Sequence, residues 1–138
     1  MSQPRWIAEE DRLAFFACLM HVGTRHGLTD DGSTFIRQLS YVLGLDDREA
    51  AALQDLVVST GDLESALDRV KDPRSARLLL QQVVVLGWAD GHYDEEERAA
   101  VRSIAARFGL ATEWVEEIER WAAKGIAWQA RGRALIGD

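Results

Sequence analysis

The segment 72-DPRSARLLLQQVVVLG-87 decides the fold class, because it predicts a helix that is apolar on nearly every side. Asp72 suits the N-cap and Pro73 the first turn, where the N–H that proline lacks would be unpaired in any case. The apolar residues that follow are Leu78, Leu79, Leu80, Val83, Val84, Val85 and Leu86. Because such a helix needs neighbours around it, we expect it in the middle of a helical bundle.

The rest of the 138-residue chain has the same helical periodicity. Apolar residues recur three and four positions apart, and no stretch alternates as a strand would. The other predicted helices cover about 7–26, 31–43, 46 onwards, 62–70, 94–108 and 112–135, with a stop at Gly109 and a bend or break at Gly125. Short connections favour antiparallel neighbours. We therefore predict an all-α, single-domain bundle of about seven helices over residues 1–138.

An internal repeat suggests that the bundle consists of two related helical units. With a shift of 65, the pairs Ile36/Val101, Leu39/Ile104, Leu43/Phe108, Gly44/Gly109, Leu45/Leu110, Leu53/Ile118 and Leu56/Trp121 coincide. With a shift of 64, His26 before Gly27 coincides with Asp90 before Gly91. Each unit thus reads as a helix, an acidic turn, a helix, a Gly-Leu pair and a further helix.

Composition and charge exclude several classes of function. The net charge is -7 and the sequence pI about 5.0, whereas a phosphate-binding protein needs a basic face, so we expect no nucleic-acid partner. We expect no secretory signal and no membrane span, since no apolar run is long enough. Cys18 is the only cysteine and lies in an apolar context, so we predict a buried thiol and a cytoplasmic location.

No arrangement of residues indicates catalysis. The serines lack a nucleophile-elbow context, and neither a zinc-protease motif nor a phosphate-binding glycine loop is present. His21 and His26 are five residues apart, a spacing that does not place them on one helix face. We therefore predict a protein without catalytic or cofactor-binding residues that is not an enzyme.

The segment 88-WADGHYDEEER-98 concentrates five carboxylates in a turn between two predicted helices. Asp94 with Glu97 forms a capping-box pattern, and acidic residues in a first turn favour the positive end of the helix dipole. Asp90 is not explained in this way. With Gly91 as a left-handed cap, Asp90 would lie at a helix C-terminus, where the dipole disfavours a negative charge. Structural capping alone and a cation site added to the capping both remain open.

A bound cation would account for Asp90. Asp90, Asp94 and Glu97 can converge on the inside of the turn, and carboxylates with backbone carbonyls suit Ca²⁺ or Mg²⁺. His92 is a possible further ligand, and its nitrogen would favour Zn²⁺ or another transition ion. The turn is not an EF-hand, because its sixth position is Glu95 instead of glycine and its twelfth is Val101 instead of glutamate.

The segment WADGHYDEEE between two amphipathic helices, followed by IAARFGL, resembles the ADG-x-x-(D/S)-x-x-E signature of the TerB-like family. That family includes the tellurite-resistance protein TerB and the N-terminal domain of the DjlA co-chaperone. The resemblance covers about residues 13–135. It implies two helical units, a divalent-metal site at Asp90, Asp94 and Glu97, and a role in tellurite or chemical stress. The first unit departs from the pattern at His26, so the resemblance does not extend to a second metal site.

Trp114, Trp121 and Trp128 are seven residues apart, which places them on one stripe of the last helix. They either seal this helix onto the bundle or bind a partner, because exposed tryptophans often anchor interfaces. Glu113, Glu116, Glu117 and Glu119 are predicted to form a solvated face at the start of the same helix.

Together these observations predict a stress-response protein of the TerB type. It would bind a divalent cation (Ca²⁺, Mg²⁺ or Zn²⁺) at the acidic turn and act through contacts with other proteins. The alternative is a protein-interaction domain of the co-chaperone kind that binds no metal. The sequence does not specify the oligomeric state.

Overall fold

A computed structural model of the protein describes residues 9–26, 41, 44–88 and 93–137, with the side chains of residues 9, 10 and 24–26 excepted. Within these ranges the chain forms six helices and no strand, which confirms the all-α class. The helices are α1 (Glu9–His26), α2 (Asp47–Thr60), α3 (Leu63–Leu67), α4 (Pro73–Gly87), α5 (Glu95–Arg107) and α6 (Thr112–Leu135). The helix predicted over residues 31–43 lies outside the described residues, apart from Tyr41.

Helix α4 lies at the centre of the bundle, as its apolar sequence predicts. It contacts α1, α5 and α6, and Leu79, Leu80 and Val84 on it are completely buried. Its start is capped as expected, because the Asp72 carboxylate accepts a hydrogen bond from the backbone N–H of Ser75 at 3.3 Å. The side chains that α4 buries therefore join the first helices of the chain to the last two.

Helix α1 supplies the other large part of the core and is anchored by a buried carboxylate. It contacts α2, α3 and α4, and it buries Phe15 and Phe16. Asp11 is 8% exposed; it accepts hydrogen bonds from the backbone N–H of Lys71 and the hydroxyl of Ser75, both at 3.3 Å. A buried carboxylate needs such partners, and these two fix α1 against the start of α4.

The repeat has a counterpart in the backbone at Gly44 and Gly109. Both adopt left-handed backbone conformations, with φ of +71° and +67°, which residues other than glycine rarely adopt. Gly109 follows the end of α5, so the predicted stop is confirmed, and each glycine precedes a leucine and then a helix. The common origin of the two units stays a prediction.

Two helix boundaries differ from the prediction. Helix α4 ends at Gly87 with Trp88 as its cap residue, three residues before the helix end predicted at position 90. Helix α6 runs through Gly125 without a break, because a single glycine weakens a helix by about 1 kcal/mol but keeps its backbone N–H and C=O. Among the described helices none combines the length and apolar character required to cross a membrane.

Candidate functional site

The downstream side of the acidic turn is a complete capping box. The Asp94 carboxylate accepts a hydrogen bond from the backbone N–H of Glu97 at 2.9 Å. In return, the Glu97 carboxylate accepts one from the backbone N–H of Asp94 at 3.2 Å. Glu95 and Glu96 follow in the first turn of α5, where the helix dipole favours negative charge. The predicted capping role of this cluster is therefore confirmed.

Two of the predicted metal ligands, Asp94 and Glu97, are brought together by this cap. Asp90 and His92 lie outside the described residues. Within the ranges that the structure describes, no three His, Cys, Asp or Glu side chains form a group that could hold a metal ion. Asp94 and Glu97 thus provide two carboxylates at one end of the turn, and a complete site would require a ligand from residues 89–92.

An aromatic pair holds together the two chain segments that flank residues 89–92. The rings of Trp88 and Tyr93 stack, with centroids 5.6 Å apart and planes inclined by 20°. Gly87 makes room for this contact: a Cβ there would lie 2.9 Å from Glu97 Oε2 and 3.0 Å from the Tyr93 ring. The end of α4 and the start of α5 therefore approach closely at a residue without a side chain, and the Tyr93 ring is the group that a Cβ would crowd.

Tyr93 also connects the turn to α6 through a half-buried network of charges. Its hydroxyl donates a hydrogen bond of 2.6 Å to Glu119 Oε2, and Arg102 Nη2 donates one of 2.5 Å to Glu119 Oε1. The guanidinium of Arg98 lies 5.5 Å from the centre of the Tyr93 ring. Burial, and then the hydrogen bond to Glu119, raise the pKa of Tyr93 above its ordinary value, so the hydroxyl remains a donor.

Glu119 corrects one prediction, because it does not belong to a solvated face. Its side chain is only 12% exposed and is paired with Arg102, whereas Glu113, Glu116 and Glu117 are exposed as expected. Helical spacing could not distinguish Glu119 from its neighbours, since its partners Tyr93 and Arg102 come from other parts of the chain.

The tryptophans of α6 divide between the two alternatives that the sequence left open. Trp114 is half-buried against the core, but Trp121 and Trp128 are 51% and 77% exposed. They belong to a tryptophan–glycine stripe of five exposed residues on one side of α6: Trp121, Gly125, Trp128, Gly132 and Leu135. From Ala127 to Gly137 every residue is exposed, so this part of the helix extends beyond the part of the bundle that the structure describes.

Three other side chains that could take part in chemistry, Cys18, His21 and Glu49, are buried or paired within the bundle. Cys18 is completely buried, as predicted, and burial raises the pKa of its thiol to about 12. His21 forms a hydrogen bond of 2.9 Å with the hydroxyl of Thr60. Glu49 forms a second capping box with Asp46 at the start of α2 and also pairs with Arg12. The contacts of His21 and Glu49 connect α1 with α2.

Comparison with protein families gives a match over residues 50–120, just over half of the chain, to the family described as tellurite resistance protein TerB. No curated protein and no solved structure matches the chain significantly. The matched residues include all of α4 and α5, the aromatic pair and the capping box, and the match ends at Arg120, one residue before the tryptophan–glycine stripe. The fold, the acidic segment and this match agree: the chain belongs to the TerB family.

Proposed function

We propose that this TerB-family protein is a non-enzymatic protein-binding domain that acts in resistance to tellurite or related chemical stress, in the reducing cytoplasm. The observation that carries the proposal is the exposure of Trp128: 77% of its surface is open, on a part of α6 that the other described helices do not cover. Tryptophan is among the residues most enriched at binding hot spots. A helix end that exposes it in regular positions is suited to contact another protein.

The glycines of the stripe support the same proposal. Gly125 and Gly132 lie inside α6, where glycine destabilises a helix by about 1 kcal/mol relative to alanine. A Cβ at either position would meet no described atom within 4 Å. Packing within the described bundle therefore gives no reason for these glycines, whereas a partner that approaches the helix backbone closely would give one.

The charge of this part of the chain specifies the chemistry of the partner. Residues 120–137 contain four cations, Arg120, Lys124, Arg131 and Arg133, and no carboxylate, although the whole chain has a net charge of -7. The surface is thus apolar along one stripe and basic beside it. Its partner would present an apolar face with acidic residues at the rim, since complementary charges favour correct encounter.

Tellurite tolerance and photocrosslinking test this proposal together. A strain that lacks the protein would be complemented with the wild type, with Trp128→Ala and with Val58→Ala, a control that removes an apolar side chain 70% exposed on α2. We expect Trp128→Ala to lose the tolerance and Val58→Ala to retain it. A photoreactive residue at position 128 should capture protein in the same cells, and one at 58 should not. Full tolerance with Trp128→Ala would contradict the proposal.

A divalent cation at the acidic turn is a second candidate function. It is supported by the convergence of Asp94 and Glu97 beside the pair Trp88 and Tyr93, which brings together the two ends of the segment that contains Asp90. We propose Ca²⁺, Mg²⁺ or Zn²⁺ as the ion, held by Asp90, Asp94 and Glu97, with His92 as a possible fourth ligand. Binding would neutralise carboxylates that repel one another.

Thermal unfolding with added metal tests this second candidate. A ligand that binds only the folded state raises the unfolding midpoint, so millimolar CaCl₂, MgCl₂ or ZnCl₂ should stabilise the wild type. Asp90→Asn should abolish the shift, while Asp55→Asn, a change at an exposed aspartate of α2, should keep it. If none of the three ions changes the midpoint, the protein-binding function stands without a metal.

A further inference from the structure

The tryptophan–glycine stripe has the spacing of a heptad repeat. If Trp121, Trp128 and Leu135 take the d positions, then Gly125 and Gly132 fall on the a positions. Large side chains (Trp or Leu) and glycines therefore alternate along one exposed line of the helix. A second helix of the same pattern, running in the opposite direction, would place a large side chain opposite each gap.

The charges along α6 are divided between its two ends. The first turns carry the exposed residues Glu113, Glu116 and Glu117, whereas the part beyond Gly125 carries Arg131 and Arg133. In a parallel pair of α6 helices these charges would face charges of the same sign. In an antiparallel pair the basic end of each helix would lie beside the acidic start of the other, which is the favourable arrangement.

We propose that the occupant of the stripe is α6 of a second copy of this chain, packed antiparallel to form a two-fold dimer. Trp121 of one copy packs over Gly125 of the other, and Arg131 of one copy lies beside Glu117 of the other. Such an interface uses the same surface on both copies, as a two-fold symmetric dimer requires. This inference rests on the proposed function, because both use the same stripe.

The exposed surface is large enough to contribute substantially to such a dimer. Trp121, Trp128 and Leu135 are 51%, 77% and 73% exposed. Together they offer roughly 450 Å² per copy, about half of the ~800 Å² that a standard interface buries on each partner. The α6 backbone beside the glycines and the aliphatic parts of the basic side chains would supply the remainder. The tryptophan–glycine stripe lies beyond residues 50–120, whereas Glu117, the proposed partner of Arg131, lies within them.

Sedimentation velocity across a range of micromolar concentrations tests the proposal, with far-UV circular dichroism to verify folding. The wild type should reach twice the mass of the 15.4 kDa chain. Trp128→Glu should weaken association more than tenfold, since a hot-spot side chain is lost and a charge enters the contact. Val58→Glu, at an exposed site on α2, should not affect it.

Charge exchange tests the antiparallel direction. Glu117→Arg and Arg131→Glu should each weaken the dimer several-fold, and the double variant should restore the wild-type dissociation constant, because the exchanged charges face each other again. A chain that stays monomeric at every concentration, or a dimer that Trp128→Glu leaves intact, would overturn the proposal. If the chain is monomeric but Trp128→Ala still loses tellurite tolerance, the dimer is wrong and the protein-binding function remains.

Discussion

The hydroxyl of Tyr93 donates a 2.6 Å hydrogen bond to Glu119, and this bond fixes the acidic turn to the start of the last helix. Tyr93 directly precedes the capping residue Asp94, and Glu119 lies two residues before Trp121. The candidate cation site is therefore connected by one hydrogen bond to the helix that carries the candidate binding surface, while Glu119 and Trp121, two residues apart, lie on different sides of that helix. Changes in this connection can be measured separately from either function.

Tyr93→Phe should lower the free energy of unfolding by about 1–2 kcal/mol, because it removes a partly buried hydrogen bond to a charged acceptor and preserves the stack on Trp88. Urea unfolding at neutral pH measures the loss. Tyr41→Phe is the matched control, since Tyr41 is 87% exposed and the same change there should cost less than about 0.5 kcal/mol. Equal effects of the two substitutions would show that the bond to Glu119 contributes nothing.

Gly87→Ala should destabilise the protein by about 1 kcal/mol, although alanine normally stabilises a helix relative to glycine. The added Cβ would lie 2.9 Å from Glu97 Oε2 and 3.0 Å from the Tyr93 ring, which cannot move away without losing its contacts with Trp88 and Glu119. Gly132→Ala is the control. It meets nothing within 4 Å and should stabilise the protein by about 0.5–1 kcal/mol. Thermal unfolding of dilute protein gives the unfolding midpoint of each variant. A higher midpoint for Gly87→Ala would show that a Cβ at residue 87 does not crowd the Tyr93 ring.

Features that depend on nearby residues could be predicted from the sequence. The capping box of Asp94 and Glu97, the stop at Gly109 and the start of α4 at Pro73 all follow from the chemistry of three or four consecutive positions. The central place of α4 could also be predicted from its run of apolar residues, although the structure shows that one side of the helix carries the exposed Arg74 and Arg77.

Features that depend on distant residues could not be predicted. Glu119 has the same helical spacing as its solvated neighbours, and only the approach of α5, which brings Arg102, and of Tyr93 distinguishes it. Gly87 likewise resembles any glycine near a helix end until the Tyr93 ring packs on it. Trp114, Trp121 and Trp128 were predicted to share one line of the last helix, but only tertiary packing determines that Trp114 is covered and Trp128 is not.

Cys18 should make the protein less stable in alkali. Its folded-state pKa is about 12, raised by burial from 9.0, so above pH 9 the unfolded chain loses a proton that the folded chain retains. Stability is therefore fully present below pH 9 and falls as the pH rises towards 12, by up to about 1.4 kcal/mol per pH unit. Cys18→Ala removes this dependence. Urea unfolding at several pH values should give a smaller alkaline slope for the variant, and identical slopes would contradict the assignment.

Substitution of Trp114 and of Trp128 should change the free energy of unfolding by different amounts. Trp114→Ala removes a ring that packs on the core and should cost about 2–3 kcal/mol of unfolding free energy, whereas Trp128→Ala should cost less than about 0.5 kcal/mol in dilute protein. Urea unfolding of both variants gives the comparison. A large loss with Trp128→Ala at concentrations where the protein is monomeric would mean that this side chain supports the fold and not a partner.

Asp94→Asn separates capping from cation binding at the acidic turn. Asparagine caps a helix about as well as aspartate, so the variant should retain most of the wild-type stability, losing only the ~0.3–1 kcal/mol that a negative charge gains from the helix dipole. It should also lose the stabilisation by added metal.

Asp46→Asn is a closely matched control, because Asp46 caps α2 through the same capping box with Glu49. Its loss of dipole energy should be the same, but its metal response should equal that of the wild type. Thermal unfolding of the three proteins with and without each ion measures both effects. A metal shift that survives in Asp94→Asn, or that disappears equally in Asp46→Asn, would exclude Asp94 as a specific ligand and leave this carboxylate with its capping role alone.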